Sequence, residues 1–152
     1  MIKDEVGFTT RRRFILIQMF YALATHYNNL NDLQHNEIEK VLSGVLKVSR
    51  YKVSDPNDTS DYQSIIKILE KIDEIDLLIE QNCKNLSLQR LSKVVLAILR
   101  VGAYELKYCE HKHKVGNIIK DYLNIAVAFA HNIETGFING ILDKIYVATS
   151  TQ

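Results

Sequence analysis

The sequence has 152 residues, of which 47% are hydrophobic and 24% charged, with a formal net charge of +1. That is an ordinary globular mix in a chain long enough to close a core without disulfides or a metal, which excludes wholesale disorder and fibrous repeats. Two cysteines, Cys83 and Cys109, are too few for a secreted disulfide scaffold and point to a reducing compartment.

The first eight residues include Asp4 and Glu5, acids that secretory and transit peptides avoid. The most apolar run, 14–23, is interrupted by Gln18 and is shorter than the ~20 residues that span a bilayer. A cytoplasmic protein that does not enter a membrane is therefore expected. Six glycines and one proline are too few for the special turns of an all-β fold, and apolar residues recur at three- and four-residue steps.

The spacing predicts six helices. The first covers about 10–26, with Thr10 as a candidate N-cap, and opens on Arg11-Arg12-Arg13. A second is predicted over 37–50, with Asn36 three residues before Glu39. Residues 54–60, with Pro56, read as a surface loop. The third, 61–82, starts from a capping box of Ser60 and Gln63 and carries the stripe Ile65, Leu69, Ile72, Ile75, Ile79. Polar residues 81–85 mark a boundary between two halves, about 10–82 and 86–148. A fourth helix, 87–108, capped by Asn85 or Ser87, allows a break near Lys93. The fifth, 114–130, buries Ile118, Tyr122, Ile125, Ala126 and Phe129. The sixth, 133–147 behind Asn132, buries Phe137, Ile138, Ile141, Leu142 and Ile145. The predicted architecture is all-α, a compact helical bundle forming one domain over 1–152.

Charge is uneven along this chain. Residues 54–82 hold eight acids against two bases, and 84–120 hold eight bases against two acids, the asymmetry of a surface that meets a polyanion. Three arginines in a helix's first turn oppose its dipole, so their use is better sought in phosphate, which the planar guanidinium grips with two hydrogen bonds. Gln18, inside the apolar run, reads as a core glutamine bonded to backbone. Cys109, His111 and His113 resemble a metal cluster, but Lys112 and Lys114 crowd it and no further ligand pair stands at a suitable spacing, so an exposed polar turn is expected and no metal. No nucleophile elbow, phosphate-binding glycine loop or zinc-protease motif occurs.

Several stretches resemble the NusB family of bacterial transcription antitermination factors. Arg11-Arg12-Arg13 followed by Gln18-Met19-Phe20-Tyr21 is similar to that family's arginines and Gln-x-Leu-Tyr. Residues 98–106, Ile-Leu-Arg-Val-Gly-Ala-Tyr-Glu-Leu, resemble its Ile-Leu-Arg-x-Ala-x-Tyr-Glu-Leu. Residues 137–144, Phe-Ile-Asn-Gly-Ile-Leu-Asp-Lys, resemble its closing segment. This sequence departs from the family pattern at Val95 and Leu96, Lys120 and Asp121, Val127 and Ile133.

The resemblance implies a fold of two three-helix subdomains. It implies binding to single-stranded boxA RNA of ribosomal-RNA leader transcripts jointly with NusE, a small-subunit ribosomal protein, in the RNA polymerase antitermination complex. Carried over by position, Arg11 and Arg13 match RNA-contacting arginines, Phe137 an aromatic at the RNA surface, and Tyr21, with Gln18 in the same motif, the partner side. Arg12 and Lys114 join them if the start of the first helix meets the 107–120 region in one basic strip. Arg100, Tyr104, Glu105, Asn139 and Asp143 match positions that read as fold-holding. The alternative is a helical protein-interaction module with weak or lost RNA recognition. NusB-like domains also begin certain ribosomal-RNA cytosine methyltransferases, but a sequence ending at Gln152 leaves no room for a cofactor domain, so neither an enzyme nor a cofactor is expected.

Overall fold

The computed structural model of the chain describes residues 5–53, 55–84, 86–111 and 113–150. Among them seven α-helices carry the fold: α1 (Thr10–His26), α2 (His35–Val48), α3 (Ser60–Glu70), α4 (Ile72–Asn82), α5 (Lys93–Tyr108), α6 (Val115–Phe129) and α7 (Thr135–Ser150). The all-α expectation holds, with one addition. Glu5–Val6 (β1) lies parallel to Cys109–Glu110 (β2), and the Gly7 N–H extends the pairing by donating to the Glu110 carbonyl at 2.9 Å. A Cβ on Gly7 would stand 3.1 Å from both Glu105 Oε2 and the Glu110 carbonyl, tight enough that the close approach of this strand favours glycine.

The third predicted helix is two. At Lys71 the backbone leaves helical geometry (φ −108°, ψ 10°) and its N–H turns back to the Ile68 carbonyl, a tightened last turn of the 3-10 kind. The bend has a packing reason. α3 lies against α1, whereas α4 lies against α5 and α7, and one straight rod does not serve both neighbours. The helix predicted over 87–108 also divides, as the allowance for a break near Lys93 anticipated. Leu88–Arg90 form a single 3-10 turn, and α5 starts behind Ser92, whose hydroxyl accepts the Val95 N–H at 3.2 Å. Ser92 is thus the cap in place of Ser87; Asn85 lies outside the described residues.

Other starts shift by a residue or a few. Thr9 caps α1, its Oγ1 accepting the Arg12 N–H at 3.1 Å, and Thr10 becomes the first helical residue. α2 begins at His35, where the Glu37 carboxylate reaches back to the Gln34 N–H at 3.0 Å. Thr59 precedes α3, and the Gln63 side-chain amide bonds its hydroxyl at 3.0 Å. α7 starts at Thr135 rather than behind Asn132.

α5 is the axis of the molecule. All residues from Leu96 to Leu106 are buried, as in a helix enclosed on every side, and α1, α4, α6 and α7 all pack on it. Residues of both expected halves share one hydrophobic cluster, including Ile15, Phe20, Ile68, Ile75, Ile98, Tyr122 and Leu142. Gly102 lets α7 approach closely, since a Cβ there would stand 2.8 Å from Leu142 Cδ2. Among the described residues no helix is long and apolar enough to cross a membrane.

Candidate nucleic-acid interface

The start of α1 is where charge concentrates, and each arginine is met by acids from distant parts of the chain. Arg11 forks onto Asp61 in the first turn of α3, Nη1 to Oδ1 and Nη2 to Oδ2, both at 2.9 Å. Arg12 Nε lies 2.6 Å from Asp61 Oδ1 in an ion contact without hydrogen-bond alignment. Its Nη atoms donate to Ser64 Oγ at 2.9 Å and Ser60 Oγ at 2.6 Å. One carboxylate therefore holds two guanidiniums. The Arg11 side chain remains 31% exposed and that of Arg12 21%, so both keep an outward edge in water.

Arg13 is different. It is 5% exposed; Nε and Nη2 each donate to Glu105 of α5 at 2.8 Å, and Nη1 donates to Asp121 of α6 at 2.7 Å. Glu105 is fully buried and also accepts the Tyr122 hydroxyl at 2.7 Å and the Phe8 N–H at 2.9 Å. Burial works against the Arg13 charge, but its bonds to Glu105 and Asp121 win and raise its pKa further above the ordinary arginine value. Burial, then the Glu105 charge, likewise pushes the Tyr122 hydroxyl well up. These partners answer the dipole objection: three cations stand in a first turn because Asp61, Glu105 and Asp121 neutralise them. They also correct the expectation for Arg13, whose donors are spent on the protein interior. Glu105 holds the fold, as its motif position implied, and Asp121, one of the family departures, supplies the second acid.

The other fold-holding positions divide. Arg100 forks onto Asp76 of α4, both bonds at 2.9 Å, and Tyr104 stacks on Phe8 with ring centroids 6.1 Å apart. Asn139 and Asp143 are exposed on α7, so the fold-holding expectation is corrected for that pair.

Along α1, Arg11, Phe14, Gln18 and Tyr21 follow one another at three- and four-residue steps and share a face. Phe14 stacks on Phe129 at the end of α6 (centroids 4.8 Å, 25° between planes) and meets Tyr51 edge-on at 5.2 Å. Arg50, just past α2, lays its guanidinium 4.8 Å over the Phe14 ring. Gln18 is half-buried, and its Oε1 is enclosed without a hydrogen-bond partner among the described residues, which corrects the satisfied-glutamine expectation. Tyr21 is 41% exposed.

The 107–120 region does come to the start of α1. The Thr10 hydroxyl donates to Asp121 at 3.0 Å, and a groove of about 420 Å³ runs between Thr9, Thr10 and Arg13 on one side and His113, Asn117 and Asp121 on the other. Lys114 is exposed between His113 and Asn117, at the N-cap of α6. Phe137 is half-buried in the first turn of α7, a helix whose main neighbours are α5, α6 and α4. Residues 109–113, expected to be an exposed turn, begin instead as strand β2, with Cys109 fully buried. Among the described residues no group of three or more His, Cys, Asp or Glu side chains is placed to hold a metal ion.

Sequence reasoning missed Asp61, Phe14, Arg50, Tyr51 and Phe129. Only Asp61 left a usable signal, an acid at the start of a helix in a chain with an arginine run to neutralise.

Comparison with known proteins gives this arrangement a lineage. The transcription antitermination protein NusB of Persephonella marina is 35% identical over 118 residues, 76% of this chain and 81% of its own length. That of Helicobacter pylori strain Shi470 is 30% identical over 137 residues, 90% of each chain. A chain in the solved structure described as a plectonemic RNA supercoil superposes with a TM-score of 0.76 at 24% identity, covering 94% of this chain and 96% of the other, and shares its fold. The match to the NusB family runs over residues 10–147, and the chain therefore belongs to that family of transcription antitermination factors, which are not enzymes.

Proposed function

We propose that the chain acts in the cytoplasm as an antitermination factor that binds single-stranded boxA-type RNA of ribosomal-RNA leader transcripts together with NusE, within the RNA polymerase antitermination complex. The observation that carries this reading is the groove between the α1 start (Thr9, Thr10, Arg13) and the loop into α6 (His113, Asn117), with the partly exposed Arg11 and Arg12 and the exposed Lys114 next to its walls in the chain. Cations converging from distant parts of a chain give backbone affinity that falls with salt. Phe137, half-buried at the start of α7, is an aromatic ring of the kind on which an unpaired base stacks. Gln18 and Tyr21, further along the same face of α1, form the NusE side, where the exposed Tyr21 phenol offers a hydrogen bond to a polar partner and the half-buried Gln18 lies one turn before it. Arg13 is left out of the RNA surface.

The test is binding of a boxA-like RNA, with and without NusE, across a salt series. With Arg11, Arg12 and Lys114 engaged, the log–log slope should approach about −2, at about 0.7 per phosphate neutralised on a single strand. Affinity indifferent to salt, or no binding even with NusE present, overturns the reading. A second reading, a protein-interaction module without strong RNA recognition, is favoured by one observation: Asp61 already occupies both Arg11 and Arg12. Retention of NusE without RNA supports that reading instead.

A further inference from the structure

Arg50 stands outside every role described so far. It follows α2 by two residues and is exposed, and among the described residues it has no carboxylate partner, whereas Arg11, Arg12, Arg13 and Arg100 are all ion-paired. Its guanidinium is nonetheless not loose. It lies 4.8 Å over the Phe14 ring, and that ring is fixed by stacking with Phe129 and by the edge contact with Tyr51. Arg50 is exposed, so only the side of its guanidinium toward the ring is covered, and the surface and N–H groups away from the ring stay open to a ligand. The outward face suits a nucleobase, which stacks on arginine planes as it does on rings, and the edge suits a phosphate. The seat also removes part of the entropy a free arginine loses on binding.

Position completes the case. Phe14 is three residues after Arg11 on the same face of α1, so the helix position that carries the seat is about one turn, roughly 5 Å along the axis, from that of Arg11. We propose that Arg50 on Phe14 is a second nucleotide subsite, stacking one base of a single-stranded RNA on its open face and binding the adjoining phosphate through its edge. The inference rests on the RNA reading above and extends the bound strand from the α1 start toward the end of α2. Phe14, Tyr51 and Phe129 are positioning residues here, since they hold the guanidinium and do not themselves touch the ligand.

The experiment compares the full chain with Arg50→Ala, Arg50→Lys and Arg50→Gln for binding to a boxA-like RNA over a salt series, with thermal melts of each. Arg50→Ala should weaken binding about tenfold and reduce the salt slope by about 0.7. Arg50→Lys should keep the slope and lose part of the affinity, because a lysine supplies charge without a stacking plane. Arg50→Gln keeps a planar group over Phe14 without the charge, and it carries the slope measurement if Arg50→Ala fails to fold. If the parent chain binds with salt dependence and the folded variants match it in affinity and slope, the subsite is overturned while the RNA reading stands. A parent chain that does not bind overturns both.

Discussion

Replacing Glu105 by glutamine tests the interior account of the arginine run most severely, because the shape is kept and only charge and hydrogen-bond character change. The carboxylate accepts four bonds: Oε1 from Arg13 Nε and Tyr122, Oε2 from Arg13 Nη2 and the Phe8 N–H. Glutamine has one acceptor oxygen, so whichever way its amide turns, two of the four donors face an NH2 group instead. Bonds to a charged partner are worth about 1.5–3 kcal/mol each, and breaking a buried ion pair costs about 3–5 kcal/mol. The two figures describe the same loss and are not summed. Asp121 still holds Arg13 Nη1, which keeps the expected cost to about 3–5 kcal/mol, a large share of the 5–15 kcal/mol typical of folded domains. At about 2–4 °C per kcal/mol for a chain of this size, Tm should fall by roughly 6–20 °C. Urea unfolding measures the cost directly: the midpoint should drop while the slope m stays unchanged. A loss under about 1 kcal/mol refutes the claim that Glu105 holds α1, α5, α6 and the N-terminal strand together.

Asp61→Asn should free Arg11 and Arg12 from a competing carboxylate and tighten single-stranded RNA binding a few-fold, read by titration at fixed salt; weaker binding shows that Asp61 orients the arginines instead of occupying them. Alkaline stability should report the two perturbed phenols. Burial raises Tyr122 and, with the Glu74 bond second, Tyr108. Above the unfolded tyrosine pKa of about 10 the folded state then holds protons that the unfolded state has shed, so unfolding free energy falls as pH rises, by at most about 1.4 kcal/mol per pH unit for the buried Tyr122 and by less for Tyr108, whose Glu74 bond is screened by solvent. Tyr122→Phe should flatten that alkaline limb, and an unchanged limb in pH-dependent unfolding counts against the buried hydroxyl. Burial also pushes the Cys83 thiol up, and the residue is 2% exposed. In the native protein at neutral pH it should therefore resist a chromogenic disulfide reagent that reacts at once in denaturant; prompt native labelling refutes this.

The helices were legible because the apolar residues recur at helical steps whatever the tertiary context. The break at Lys71 was not, since the stripe Ile68, Ile72, Ile75, Ile79 runs through it unbroken and neither glycine nor proline marks it. Helix starts drifted because Thr9 and Thr10, or Ser87 and Ser92, are equally competent caps on paper, and packing decides between them. The arginine run was conspicuous, but its meaning was divided by contacts at separations of 48 to 108 residues, which no local pattern carries. Arg11, Arg12 and Arg13 look alike in the sequence; the helix turns the third inward and leaves the first two partly in water. The Arg50 seat was invisible for the same reason, since Phe14, Tyr51 and Phe129 meet only through the fold.

The dependence of α1 on late-arriving acids has a consequence for synthesis. Arg13 waits 92 residues for Glu105 and 108 for Asp121, and the Phe8 N–H waits 97 residues for the same glutamate. A nascent chain emerging amino end first thus exposes its most cationic helix long before the groups that quiet it have been translated. Fragments that stop short of α5 should leave Arg13 uncompensated even where Asp61 already holds Arg11 and Arg12, prone to cling to any nearby polyanion, of which the ribosome on which they are made is the first at hand.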